Sequence, residues 1–171
     1  MALRRILHYP EPLLKKNAAP VVTIDEQLRT LAQDMAETMY GAPGVGLAAP
    51  QVGVSQRLVV IDCAPHDGPA DLIVAVNPEI IAREGEIFEE EGCLSVPEYN
   101  ARVTRSAKIT ARYLNLEGQT VLREAEGLLS VAFQHEIDHL DGILFVDRLS
   151  PLKRGIFKKK YLKLMAQKES R

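Results

Sequence analysis

Gln134-His135-Glu136-Ile137-Asp138-His139-Leu140 carries the pattern H-E-x-x-H in a stretch whose apolar spacing predicts a helix, with Gly142 just beyond it. Histidines four positions apart project from one helix face and can grip a single ion, while the glutamate beside the first can reach a water that the ion activates. A turn of about 100° per residue gathers Leu128, Ala132, His135 and His139 into one stripe, with Val131 at its edge. Leu129, Phe133, Ile137 and Leu140 form a second apolar sector, which leaves Ser130, Gln134 and Asp138 as the polar remainder. The helix is therefore expected to begin near Gly127 and to lie centrally, buried on two sides. Leu128, Val131 and Ala132 would line a pocket beside the ion that suits an unbranched or modest apolar side chain.

Upstream, Thr23-Ile24-Asp25-Glu26 has the form of a capping box, and Leu28, Leu31, Met35 and Met39 follow at helical spacing until Gly41. A glycine-rich loop comes next. Arg57 to Asp62 and Leu72 to Val76 are short, β-branched and bounded by turn residues, as buried strands are. Lys108 to Leu114 and Gln119 to Arg123 flank Asn115-Leu116-Glu117-Gly118, which fits a hairpin loop. These elements predict an α+β fold: antiparallel β-sheets packed around the central metal-binding helix, with an N-terminal helix and a C-terminal one.

With 171 residues, 46% of them hydrophobic, the chain is expected to form one catalytic domain over 1–171 that buries a core around a dry site. No run approaches the roughly 20 apolar residues of a membrane span. Met1-Ala2-Leu3-Arg4-Arg5-Ile6-Leu7-His8-Tyr9-Pro10 is too polar, and too soon broken by proline, for a secretory leader, so the chain reads as cytoplasmic with no membrane partner. His8 and His66 read as surface residues. The net charge of −2 conceals an asymmetry, because the tail 150–171 holds eight basic residues against the single acid Glu169. That segment is +7 and the remainder −9. A solvated, frayed terminal helix is one reading; docking through Phe157, Tyr161, Leu162 and Met165 with lysines facing a polyanion is the other.

The third ligand can be sought downstream or upstream. The longer pattern H-E-x-x-H-x-x-G-x-x-H is matched as far as Gly142 and then meets Phe145 where its last histidine belongs. Asp141 falls on another helix face, Asp147 reads as a salt-bridged loop acid, and Glu169 lies in the tail. Upstream, Cys93 sits beside Gly92 in Glu91-Gly92-Cys93-Leu94-Ser95 and would bind as thiolate, leaving a fourth position open as catalytic ions require. Spacing alone leaves Cys93 balanced between ligand and small core residue. Cys63, in an apolar run, reads as core.

Gly44-Val45-Gly46-Leu47-Ala48-Ala49-Pro50-Gln51, Glu91-Gly92-Cys93-Leu94-Ser95 and Gln134-His135-Glu136-Ile137-Asp138-His139 resemble, in order, the three signature motifs of the peptide deformylases. The flanks Asp147-Arg148-Leu149-Ser150-Pro151-Leu152-Lys153 and His8-Tyr9-Pro10 are similar to bacterial members. Asn100 departs from members that carry arginine there, which bears on contact with the distal substrate peptide.

The resemblance implies hydrolysis of the formyl group from the N-terminal formylmethionine of nascent chains. It implies one divalent ion on Cys93, His135 and His139, with Fe(2+) as the working metal and Zn(2+), Ni(2+) or Co(2+) as substitutes. Glu136 would be the proton shuttle, and the Gln51 amide and the Leu94 N–H would hold the oxyanion. The edge Gly44-Val45-Gly46 would let an extended formylmethionyl peptide add as a strand. Its G-V-G is no phosphate loop, since no G-x-x-x-x-G-K-[ST] follows. By its charge alone, and not by the resemblance, the basic tail could face a polyanion such as ribosomal RNA, where the substrate emerges.

Overall fold

The computed structural model describes residues 2–169. Met1, and Ser170 and Arg171 of the basic tail, lie outside the described residues. The first helix, α1 (Glu26–Gly41), is capped by Asp25, whose Oδ1 accepts from the N–H of Leu28 at 2.9 Å. The cap is thus Asp25, two residues past Thr23, because its short carboxylate reaches the third N–H of the first turn. Leu28, Leu31, Met35 and Met39 are buried as their spacing requires.

Five strands form an antiparallel sheet in the order β1-β2-β3-β6-β7, and β4 and β5 pair separately as a two-stranded hairpin. In the sheet, β1 is Gly46–Ala48, β2 Leu58–Ile61, β3 Ile73–Glu84, β6 Lys108–Leu114 and β7 Thr120–Glu126. The hairpin joins β4 (Ile87–Cys93) to β5 (Val96–Arg105). All four residues of β2 are fully buried, because its alternate side chains serve opposite faces. Leu58 and Val60 pack with α1, while Val59 and Ile61 pack with α2 (Gly127–Leu140). The sheet is therefore covered on both sides at β2, and α2 is held against it by Ala132, Phe133, Ile137 and Leu140.

The expected antiparallel sheets around one helix are present, with two differences in extent. The strand that begins near Leu72 does not stop at Val76: β3 bulges between Val76 and Glu79 and then pairs on with β6 to Glu84. Asn77 absorbs the bulge at φ 51°, its carboxamide bonding the backbone of Val21 as acceptor and donor. The second difference is on α2, where every residue from Ser130 to Leu140 is buried. The polar remainder does not face water. Gln134 accepts from the N–H of Ser106 at 2.9 Å and donates to its carbonyl at 2.9 Å, and Asp138 meets two arginines.

The third helix, α3 (Pro151–Glu169), is docked through Phe157 and Tyr161, each 1% exposed, against Tyr9 and Tyr99. Met165 packs on the same cluster, but Leu162 is 58% exposed. Five positions beyond Phe157 place Leu162 on the far face from the docked stripe at helical periodicity.

Candidate metal centre

Three remote segments meet at the C-terminal half of α2. Cys93 ends β4, Gln51 lies in the 3₁₀ turn Ala49–Val52 after β1, and His135, Glu136 and His139 come from α2. The donor atoms of Cys93, His135 and His139 all lie within 4.8 Å of one another. Cys93 Sγ is 3.3 Å from His139 Nε2 and receives the N–H of Ser95 at 3.4 Å. The helix spacing thus brings both imidazoles to one point, and the β4–β5 turn delivers the thiol to them. Phe145, standing where a third histidine would be, stacks on His135 with centroids 6.1 Å apart. Asp141 pairs with Arg57, and Asp147 with Lys15, so neither joins the cluster.

His135 is oriented by a residue that pattern-reading left inside a motif without a task. Its Nδ1 lies 3.0 Å from Glu91 Oε1, so the Nδ1–H tautomer donates to Glu91 and turns Nε2 toward the cluster. Arg105 donates to both oxygens of Glu91, at 2.8 and 2.9 Å. Burial works to raise the Glu91 pKa, but Arg105 and His135 overrule it and hold the carboxyl below its usual range. Glu91 could have been suspected from its place two residues before Cys93. Arg105 gives no sequence signal, being one arginine among many until β5 is paired. His139 Nδ1 has no acceptor among the described residues.

Glu136 is 4% exposed, and burial pushes its pKa up to about 7, with the charges of Glu91 and Asp138 adding and those of His135 and Arg105 opposing. Its Oε1 is buried without a hydrogen-bond partner among the described residues. Gly46 makes room for it: a Cβ there would come 2.5 Å from Glu136 Oε2. Burial holds His139 well below its ordinary pKa, with His135 and Arg105 adding to the effect, which favours the neutral imidazole a metal needs.

A cavity of about 470 Å³ opens on this cluster, lined by Val45, Gly46, Gln51, Leu94, Leu128, Val131 and Ala132 as well as Cys93, His135 and Glu136. His139, 1% exposed, is not part of that lining. Val45 and Leu128 stand at the mouth, 44% and 57% exposed. The Gln51 carboxamide is fixed, Oε1 accepting from the N–H of Ala48 at 2.9 Å and Nε2 donating to Ser95 Oγ at 3.0 Å, 3.6 Å from Cys93 Sγ. Asn100 lies outside this lining, with Oδ1 2.4 Å from where a Cβ on Gly92 would stand.

The donor set suits a borderline-soft divalent ion. One sulfur and two imidazole nitrogens match Fe(2+), Zn(2+), Ni(2+) or Co(2+) and not the all-oxygen preference of Mg(2+) or Ca(2+). Three protein donors are one fewer than a closed tetrahedral site uses, and Glu136, whose Oε1 is buried and unpartnered among the described residues, is part of the cavity lining.

Among the described residues, no helix is long and apolar enough to cross a membrane. Residues 3–155 match the family model for polypeptide deformylase. A peptide deformylase of Syntrophobacter fumaroxidans is 52% identical over 167 residues, covering 98% of each chain. One from Alkalilimnicola ehrlichii is 53% identical over 167 residues, 98% of this chain and 93% of that one. The crystal structure of a peptide deformylase from Legionella pneumophila superposes with a TM-score of 0.91 at 49% identity, covering 99% of both chains. That from Ehrlichia chaffeensis gives 0.90 at 33% identity, over 97% of this chain and 98% of the other. With a family match over most of its length and relatives at half identity, this chain belongs to the polypeptide deformylases.

Proposed function

We propose that the chain hydrolyses the formyl group from the N-terminal formylmethionine of newly made polypeptides, releasing formate. The observation that carries this is the convergence of Cys93, His135 and His139 within 4.8 Å beside a buried Glu136 whose Oε1 has no hydrogen-bond partner among the described residues, in a chain of this family. Cys93, His135 and His139 would hold the divalent ion, with Fe(2+) as the working metal. Such an ion supplies Lewis acidity, lowering the pKa of water toward about 7 and polarising a carbonyl.

The chain's own residues supply the rest. Glu136 accepts the proton of the attacking water as the new C–O bond forms at the formyl carbon. It then delivers that proton to the methionine nitrogen as the C–N bond breaks, leaving a free amine. A pKa lifted by burial suits a group that must take and give a proton in one cycle. The Gln51 carboxamide N–H and the backbone N–H of Leu94 stabilise the oxyanion, and losing one such donor typically costs on the order of 3 kcal/mol. Leu128, Val131 and Ala132 receive the methionine side chain. Val45 and Gly46, at the start of β1, pair with the peptide backbone, which lets the site act on chains of any sequence.

Formate release from a formyl-methionyl peptide, measured with anaerobically purified protein, tests this reading. Glu136→Gln is expected to keep the metal and the fold while lowering kcat by about 10²- to 10⁴-fold. Wild-type turnover in that variant, or cleavage only of blocked unformylated peptides by the wild type, would overturn it. The same reading places the enzyme in the cytoplasm, with the basic face of α3 toward the ribosome that presents its substrate.

A further inference from the structure

A chain of alternating charges runs from the metal cluster to the surface. Beyond Glu91, the shared arginine Arg105 also donates through Nη1 to Asp138 Oδ2 at 2.7 Å. Asp138 then receives two bonds from Arg148, Nη2 to Oδ1 at 2.7 Å and Nε to Oδ2 at 3.1 Å. The side chains of Glu91, Arg105 and Asp138 are 5%, 4% and 10% exposed, whereas that of Arg148 is 46% exposed. Two carboxylates and two guanidiniums alternate, so each buried charge has an opposite neighbour, and removing one link leaves the next under-paired.

The connectivity is directional. Asp138 Oδ2 accepts from both arginines, so Arg148 fixes where Asp138 stands, and Asp138 fixes where the Arg105 fork points. That fork sets the Glu91 oxygen on His135 Nδ1. Asp138 and His135 share α2, three residues apart, so the chain closes a ring through α2, β4 and β5, to which Arg148 of the turn Phe145–Arg148 is joined at Asp138. His139 Nδ1 has no comparable acceptor among the described residues, its Nε2 meeting Cys93 Sγ instead, so this ring tethers the imidazole pair through His135.

We propose that Asp138 and Arg148 are positioning residues of the metal centre, holding Glu91 through Arg105 and so fixing the tautomer and ring orientation of His135. Arg148, on the surface, thereby governs how firmly the ion is kept. The proposal rests on Cys93, His135 and His139 being the ligands.

Cobalt(II) loaded into the anaerobically purified protein tests both levels. The wild type is expected to show thiolate-to-cobalt charge transfer and the ligand-field bands of a low-coordinate site; their absence would remove the ligand assignment itself, and the proposal with it. Arg148→Met is expected to lose cobalt to excess chelator about tenfold faster, the low end for a group orienting a ligating histidine, with shifted ligand-field bands. Arg148→Lys, which keeps the charge without the fork, should fall between. Lys15→Met serves as control, because it breaks the pair with Asp147 on the same turn without touching the charge chain. Cobalt release at the wild-type rate with the wild-type spectrum in Arg148→Met, or equal acceleration in Lys15→Met, would show that Arg148 only braces the turn and would overturn the proposal.

Discussion

Gly46 lacks a side chain because Glu136 occupies the space one would need. A Cβ would lie 2.5 Å from Oε2 and 2.9 Å from Cδ and Cγ. The backbone there is not left-handed, so the demand is for room, not for conformational freedom. Gly46→Ala is therefore expected to fold with a near-normal melting temperature and to retain its metal. Its kcat should fall by about 100-fold, the cost of displacing a catalytic group by roughly an ångström; a kcat within a factor of two of wild type would show that Glu136 yields freely. A second residue pair has a pH signature. The Tyr40 hydroxyl donates to Asp62 Oδ2 at 2.6 Å, and Asp62 also accepts from the N–H groups of Ala64 and Asp71. Burial alone would raise Asp62, yet these bonds hold its pKa below the usual range, while burial and Asp62 push Tyr40 up to about 12. A lowered carboxyl stabilises the fold above its unfolded pKa, and a raised phenol does so below its own. Tyr40→Phe should then cost about 1 kcal/mol between roughly pH 4 and 10, the gap closing as acid protonates Asp62 and again as pH climbs toward 12. Chemical denaturation across that range checks it; a gap independent of pH would mean the hydroxyl does not engage the ionised carboxylate. Among single residues, His135 and His139 suggest metal chemistry by type and spacing, Cys93 stays balanced between ligand and core residue until the resemblance is drawn, and Glu91 and Arg105 acquire a role only when β4 and β5 pair.

The elements were read well where one face was apolar and poorly where polar residues were buried. On α2 the period of 3.6 separated the His135–His139 stripe from the Phe133–Leu140 sector correctly, and the helix begins at Gly127. Periodicity could not reveal that Ser130, Gln134 and Asp138 face the β5–β6 corner, because a polar face turned to water and one turned to arginine and backbone look alike in sequence. The β4–β5 hairpin escaped for a related reason. Its acidic run Glu89-Glu90-Glu91 resembles a loop, although Glu91 turns inward to Arg105. Gln134 tests the buried polar face. It is 4% exposed and satisfies the N–H and carbonyl of Ser106 together. Truncating it strands the Ser106 N–H, so Gln134→Ala should lower stability by about 1–3 kcal/mol in guanidinium unfolding. A loss below about 0.5 kcal/mol, the level of ordinary surface changes, would mean that this corner is solvated.

Across the whole molecule, charge is sorted as the sequence says and then given a direction by packing. Phe157 and Tyr161 hold α3 to the body beside Tyr9 and Tyr99, which commits the opposite face, including Lys158, Lys159 and Lys163, to solvent. Lys168 of the tail pairs with Glu98, a residue of the cavity lining, at 2.9 Å. The convergence of Gln51, Cys93 and His135 was legible only through resemblance, because nothing in a spacing of 42 residues each way shows that β1, the β4–β5 turn and α2 share one point. The polybasic face is legible from composition, and its consequence is quantitative. If α3 meets ribosomal RNA, each exposed lysine that neutralises a phosphate adds about one to the slope of log K against log salt. Replacing Lys158, Lys159 and Lys163 together by Gln should flatten that slope by about three in ribosome sedimentation across a salt series. Formate release from a short formyl-methionyl peptide should stay at the wild-type rate, since none of the three lines the cavity beside Cys93, His135 and Glu136. Equal slopes for the two proteins would take α3 out of ribosome contact, and a parallel loss of small-peptide turnover would place its lysines in the chemistry instead.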